Sequence, residues 1–156
     1  MSQTIIHTGS VLRQLVIGQI QAIPKELFDV QANGFNNTIR WNVGHIIYWM
    51  DAYSKQCFEP ESLIPASYSR LFNSGTKPTD WTEIPPTTDG LIQALAEQLN
   101  RISEVSEAAL EAELKSPLEV GPFRFVTAGE VYNFAFLHEA IHLGTISSLW
   151  KASGQI

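Results

Sequence analysis

The chain has 156 residues (17.4 kDa), 44% of them hydrophobic, with 10 basic against 16 acidic side chains, a formal charge of −6 and a pI near 5.1. That length suits one domain, residues 1–156, with a sizeable core. An acidic balance without a Lys/Arg cluster excludes a non-specific nucleic-acid binder, and 10% aromatics with 17% charged residues exclude disorder. Cys57 is alone, so a metal site must be built from carboxylates, water and the four histidines.

The first basic residue is Arg13, and the apolar stretch before it is broken by His7, Thr8, Gly9 and Ser10, so no secretory leader is expected. Apolar stretches free of Asp, Glu, Lys and Arg, such as Trp41 to Met50 and Ala140 to Trp150, fall short of the ~20 residues that span a bilayer. The expected compartment is the cytoplasm, with no membrane or nucleic-acid partner.

Four segments carry helical periodicity and none shows convincing strand-like alternation. The first, Thr4 to Ala22, places Ile5, Leu12, Leu15, Val16, Gln19 and Ile20 on its apolar side, and Pro24 ends it. The second starts at Asn37 or Thr38, both good N-caps, and runs to Phe58 before Pro60. It is apolar almost all round, with Ile39, Val43, Ile46, Met50 and Tyr53 on one stripe and Trp41, His45, Trp49 and Ala52 on the next. Such a helix faces a core, or a core and a partner, which suggests a homodimer.

From Glu59 to Thr88 prolines break the pattern, as expected of a crossover in a bundle. Its aromatics, Tyr68, Phe72 and Trp81, either wall a ligand site or plug the bundle end. The third helix is read from Asp89 to Leu114, with Leu91, Leu95, Leu99, Ile102, Val105 and Ala109 inward and Glu97, Glu104, Glu107 and Glu111 in solvent. A short connection, Ser116 to Phe125, leads to Thr127-Ala128-Gly129-Glu130, the S/T-x-x-E signature of a capped start. The fourth helix then runs to about Ala152, with Gly154 as its stop. Four helices, a long crossover and no strands predict an all-α four-helix bundle.

His138 and His142 lie one turn apart on the fourth helix, on a side shared with Val131, Phe134, Ala135, Ile141, Thr145 and Leu149. Two imidazoles facing a core need partners, and one shared ion satisfies both. His45, between Trp41 and Trp49 on the second helix, completes a candidate three-histidine site with an open position. His7, near the N-terminus, is read as a surface residue. Because imidazole binds metal only when deprotonated, affinity is expected to fall as pH drops through roughly 6.

His138-Glu139-Ala140-Ile141-His142 also fits the H-E-x-x-H expression of zinc proteases. No Asp, Glu, His or Cys follows His142 to supply their third ligand, so a protease is not expected. Glu139 remains a candidate general base, an acceptor for an imidazole N–H, or an exposed helical carboxylate.

Asn42-Val43-Gly44-His45-Ile46 and His138-x-x-x-His142-Leu143-Gly144 together resemble the DinB-like (DinB/YfiT) superfamily of small helical-bundle metalloproteins. The resemblance covers nearly the whole chain and implies up-down-down-up connectivity, with zinc or nickel held by His45, His138 and His142. It also implies a thiol-dependent activity, since relatives include mycothiol-dependent isomerases, bacillithiol or glutathione S-transferases, and some assigned as metal-dependent hydrolases. Thr145 stands where relatives often carry glutamine, which leaves the subfamily open. The expected function is a metal-dependent transferase or hydrolase acting on a small electrophile with a low-molecular-weight thiol, and the alternative is a non-catalytic metal- or ligand-binding bundle. Trp41, Trp49 and Thr145 are candidate pocket residues, with Phe72 and Trp81 behind them.

Overall fold

A helix start leaves N–H groups without partners, and three threonines meet that need here. Thr38 Oγ1 accepts from Trp41 N, and Thr87 Oγ1 accepts from Gly90 N. Thr127 and Glu130 form the full capping box expected from the sequence. The computed structural model describes residues 2–59 and 61–153. In order it contains α1 (Ser2–Ala22), α2 (Ile39–Phe58), α3 (Ser67–Phe72), α4 (Thr88–Ser103), α5 (Glu107–Glu111), β1 (Glu113–Val120), β2 (Phe123–Thr127) and α6 (Ala128–Ala152), with 3-10 turns at Lys25–Leu27 and Pro78–Asp80. The expected stop at Gly154 and the break at Pro60 lie outside the described residues.

The protein is all-α apart from one hairpin. Helices α1 and α2 each pack against both α4 and α6, so these four long helices surround a common interior. One apolar cluster is centred on Val16, Ile20, Val43, Ile47, Leu91, Leu95 and Leu149. A second gathers Met50, Ile102, Leu110, Val131, Tyr132 and Phe136 toward the other end.

Between the clusters lies a charged network, which is unusual in an interior. Arg13 of α1 is fully buried and donates to Gln98 Oε1 of α4 (2.8 Å) and to Glu139 Oε2 of α6 (2.8 Å). Gln98 Nε2 in turn donates to the Ile47 carbonyl of α2 (2.8 Å), so the network ties all four long helices. Along each helix its members separate residues of one cluster from residues of the other: Leu95 and Ile102 flank Gln98, and Phe136 and Ile146 flank Glu139.

The third helix is shorter than its periodicity predicts. Glu104 N and Val105 N bond to carbonyls three residues back, tightening the last turn of α4. Ser106 then caps a separate helix, α5, by accepting from Ala109 N. The expected connection Ser116 to Phe125 is instead most of an antiparallel hairpin in which Val120 pairs with Phe123 and Glu113 with Thr127. Gly121, at φ +57°, opens its two-residue turn, a conformation glycine reaches without steric cost. Glu97, Glu104, Glu107 and Glu111 are exposed as expected, though spread over more than one element.

Truncating one partner of a buried ion pair strands the other charge. Arg13→Met should therefore cost about 3–5 kcal/mol of stability in urea unfolding, while Arg13→Met combined with Glu139→Leu should regain most of it. A loss below about 1 kcal/mol for the single variant would contradict this account of the network.

Candidate metal centre

The adjacent helices α2 and α6 bring three imidazoles together. His45 is buried on α2, and His138 and His142 are half-buried on α6. Ring centroids are 5.1 Å apart for His45 and His138, and 4.6 Å apart for each of the other two pairs. One ligand atom from each residue lies within 4.8 Å of the others. His7, by contrast, is exposed on α1.

Hydrogen bonds fix the tautomers of two rings. His45 Nδ1 lies 2.7 Å from the Phe72 carbonyl, which can only accept, so Nδ1 carries the proton and Nε2 presents a lone pair. His142 Nδ1 lies 2.8 Å from Asn42 Oδ1. The amide orientation follows from its other end, where Asn42 Nδ2 donates to the Thr38 carbonyl (2.9 Å) at the start of α2. The His142 proton is thus placed by a chain of contacts running back to a helix cap. With Nδ1 committed in both rings, each keeps Nε2 as the nitrogen it can offer to a metal.

Burial also keeps the rings neutral. Desolvation lowers His138 to about 4, with the His45 ring adding to the effect. It lowers His142 to about 3, helped by His138 and then His45. His45 is lowered by the same burial, opposed by its bond to the Phe72 carbonyl. Burial thus favours the deprotonated, ligand-competent rings at lower pH than in an ordinary imidazole, which moves the pH dependence expected near 6 downward.

Aromatic side chains surround the cluster. Trp41 stacks on His45 with centroids 4.4 Å apart and donates through Nε1 to Thr76 Oγ1 (2.9 Å), fastening the crossover over the site. Trp49 meets His45 and His138 edge-on at 6.3 and 6.5 Å, and Tyr53 meets His138 at 6.3 Å. Thr145, half-buried one turn beyond Ile141, spends its hydroxyl on the Ile141 carbonyl.

The crossover aromatics form a plug. Phe72 is fully buried between Tyr68 and Trp81, with ring centroids 5.1 and 5.6 Å away. Phe72 sits so close to α2 that a Cβ on Gly44 would come within 2.4 Å of its ring, so this approach requires glycine. The ring packs and the carbonyl serves His45.

Glu139 is engaged elsewhere. It is 1% exposed, which corrects the exposed reading, and its Oε2 accepts from Arg13. Burial pushes its carboxyl above the ordinary range, and the guanidinium offsets part of that shift. The acceptors for the ring N–H groups of His142 and His45 are Asn42 Oδ1 and the Phe72 carbonyl. Sequence reasoning gave no role to Asn42, Arg13 or the Phe72 carbonyl. For Arg13 a signal existed, since it is the sole charged residue of α1 and sits beside the apolar Val16–Ile20 stripe.

Three neutral imidazoles, two with oriented protons and all beside aromatic rings, form a group that could hold a metal ion. Among the described residues no helix is long and apolar enough to cross a membrane. No curated protein matches the chain. The family model of the DinB superfamily matches residues 10–146, a span that holds all three histidines, Asn42 and both members of the Arg13–Glu139 pair. With that match over most of its length, the chain belongs to the DinB superfamily.

Proposed function

We propose that this protein is a cytoplasmic metal-dependent enzyme that holds zinc or nickel through Nε2 of His45, Nε2 of His142 and a ring nitrogen of His138. Its activity is a thiol-dependent S-transfer, or a related transfer or hydrolysis, on a small electrophilic substrate. The observation that carries the reading is the convergence of three imidazoles, two with Nδ1 protons already committed. A bound divalent ion would lower the pKa of a water or thiol at its open position and so supply a nucleophile at neutral pH. The chain's own residues supply the rest: Asn42 and the Phe72 carbonyl orient the rings, and Trp41, Trp49 and Tyr53 offer apolar surface beside them.

A second reading is a metal- or ligand-binding bundle without turnover. It is favoured by one fact: the acidic residue beside His138 is paired with Arg13.

Protein purified without a histidine tag should carry close to one equivalent of zinc or nickel, and His138→Ala should lose it. Less than about a tenth of an equivalent, with no uptake on addition of zinc or nickel, sinks both readings. Screening glutathione, bacillithiol, mycothiol and cysteine against electrophiles, with ester and amide hydrolysis alongside, then separates them. Equal rates for wild type and His138→Ala throughout would leave the binding bundle.

Asn42→Leu removes the acceptor that orients His142 and should weaken zinc binding by about 10–100-fold in competition with a chelating dye. Unchanged affinity would remove the role given to Asn42.

The lowered histidine pKa values give a signed pH effect. His138 and His142 titrate below their ordinary 6.5 when folded, so the unfolded chain takes up protons first as pH falls. The metal-free fold should hold its Tm above pH 6.5 and lose stability progressively toward pH 4. Loaded protein should retain its ion from pH 8 to about 5, and a retention midpoint at 6 or above would contradict buried, neutral imidazoles.

A further inference from the structure

A polar atom shielded from water and left without a partner costs free energy, so an orphan inside a protein marks a place where something else completes the structure. Among the described residues four buried side-chain atoms lack partners: Arg13 Nε, Asn37 Oδ1, Trp49 Nε1 and Glu139 Oε1. Arg13 and Glu139 belong to the ion-pair network, and Asn37 lies ahead of α2. Of the four, only Trp49 Nε1 belongs to a ring that touches the histidine cluster.

A buried indole N–H usually finds an acceptor, and the chain provides one for two other tryptophans. Trp41 Nε1 donates to Thr76 Oγ1 and Trp81 Nε1 to the Leu71 carbonyl, each at 2.9 Å. Trp49 is one turn beyond His45 on α2, with the rings of His45, Tyr48, Tyr53 and His138 around it, and no acceptor meets its nitrogen. Tyr53, its ring 5.4 Å away, is buried as well, and its hydroxyl has no hydrogen-bond partner among the described residues. Two donors are therefore unspent beside the same candidate ligand, since both rings meet His138 edge-on.

We infer that Trp49 Nε1 is a ligand-binding donor that holds an oxygen of a small carboxylate-class anion at the histidine centre. The inference rests on the metal-dependent reading of the site. An indole N–H can only donate, so its partner must carry an acceptor. The partner's charge follows from the candidate ligands, which are uncharged imidazoles, and from Glu139, which is already paired with Arg13. An anion supplies the counter-charge a divalent ion would need there, and it accepts a stronger hydrogen bond than a neutral group does. A carboxylate has two acceptor oxygens and can serve an ion and an N–H at once. In the proposed reaction Trp49 is therefore a substrate-binding residue that selects for a carboxylate, besides walling the site.

The test is an acetate titration of the full, zinc-loaded chain labelled with nitrogen-15. The Trp49 indole resonance, assigned from its contacts with the Tyr53 ring and by its loss in Trp49→Phe, should move downfield as acetate binds. That of Trp81, already bonded to the Leu71 carbonyl, should stay in place. Trp49→Phe should keep its helical content and its zinc but bind acetate about tenfold or more weakly, followed on the backbone amides of α2 and α6. A purely structural Trp49 would leave its indole resonance unmoved while acetate binds, and that outcome overturns the inference. So does a folded, zinc-loaded Trp49→Phe with wild-type affinity, or a zinc-loaded wild type that binds no acetate up to about 100 mM. A chain that takes up neither zinc nor nickel fails before acetate is added, and it overturns the metal-dependent reading together with this inference.

Discussion

The buried pairing of Arg13 with Glu139 is the constraint on which the rest of the architecture depends. A guanidinium at zero exposure cannot shed its charge, so a carboxylate must meet it, and Gln98 must take another of its donors. This requirement admits few arrangements. It fixes the rotation of α1, α4 and α6 about their axes at one level, and the Gln98 bond to the Ile47 carbonyl adds α2. Because successive residues of a helix point about 100° apart, turning Glu139 toward α1 turns His138 away from it, toward α2. His142, one turn on, follows. The ion pair and the three-histidine cluster are thus two consequences of one rotational setting of α6.

Two further contacts convert proximity into prepared ligands, one from the first turn of α2 and one from the crossover. The Thr38 carbonyl orients Asn42, which orients His142, while the crossover supplies the Phe72 carbonyl to His45. The crossover holds that carbonyl in place by packing its ring against Gly44 and by the Trp41 bond to Thr76. A long connection that looks dispensable in a bundle is here part of the site's framework.

Much of this was legible in the sequence, and the parts that were not share a cause. The long helices were readable because apolar periodicity and local caps mark them, with Thr38 and Thr127 observed in their expected roles. The histidines were readable because a polar side chain on an apolar stripe is conspicuous. The end of α4 was hidden because Val105 and Ala109 carry the apolar spacing across the break at Ser106. The hairpin was hidden because β1 contains Lys115, Ser116 and Pro117, and its pairing slips between Glu113 and Leu118. Glu139 was misjudged for a different reason: its partner lies 126 residues away, and no local pattern reports a contact of that separation. Leu15 and Ile141 look like core residues by spacing alone, and only the packed helices show that their side faces outward.

The electrostatic balance of the cluster narrows the chemistry it can host. Among the described residues the candidate ligands are all neutral imidazoles, and the neighbouring carboxylate, Glu139, is already matched by Arg13. A divalent ion held there would bring two uncompensated positive charges into an environment whose desolvation is strong enough to depress the histidine pKa values themselves. Burying such a charge is favourable only if its remaining positions take anions. The aromatic walls formed by Trp41, Trp49 and Tyr53 contribute no counter-charge. Under the proposed function, an exogenous anion would therefore supply the counter-charge that the chain's own ligands lack. That need follows from the absence of a carboxylate among the grouped ligands, His45, His138 and His142.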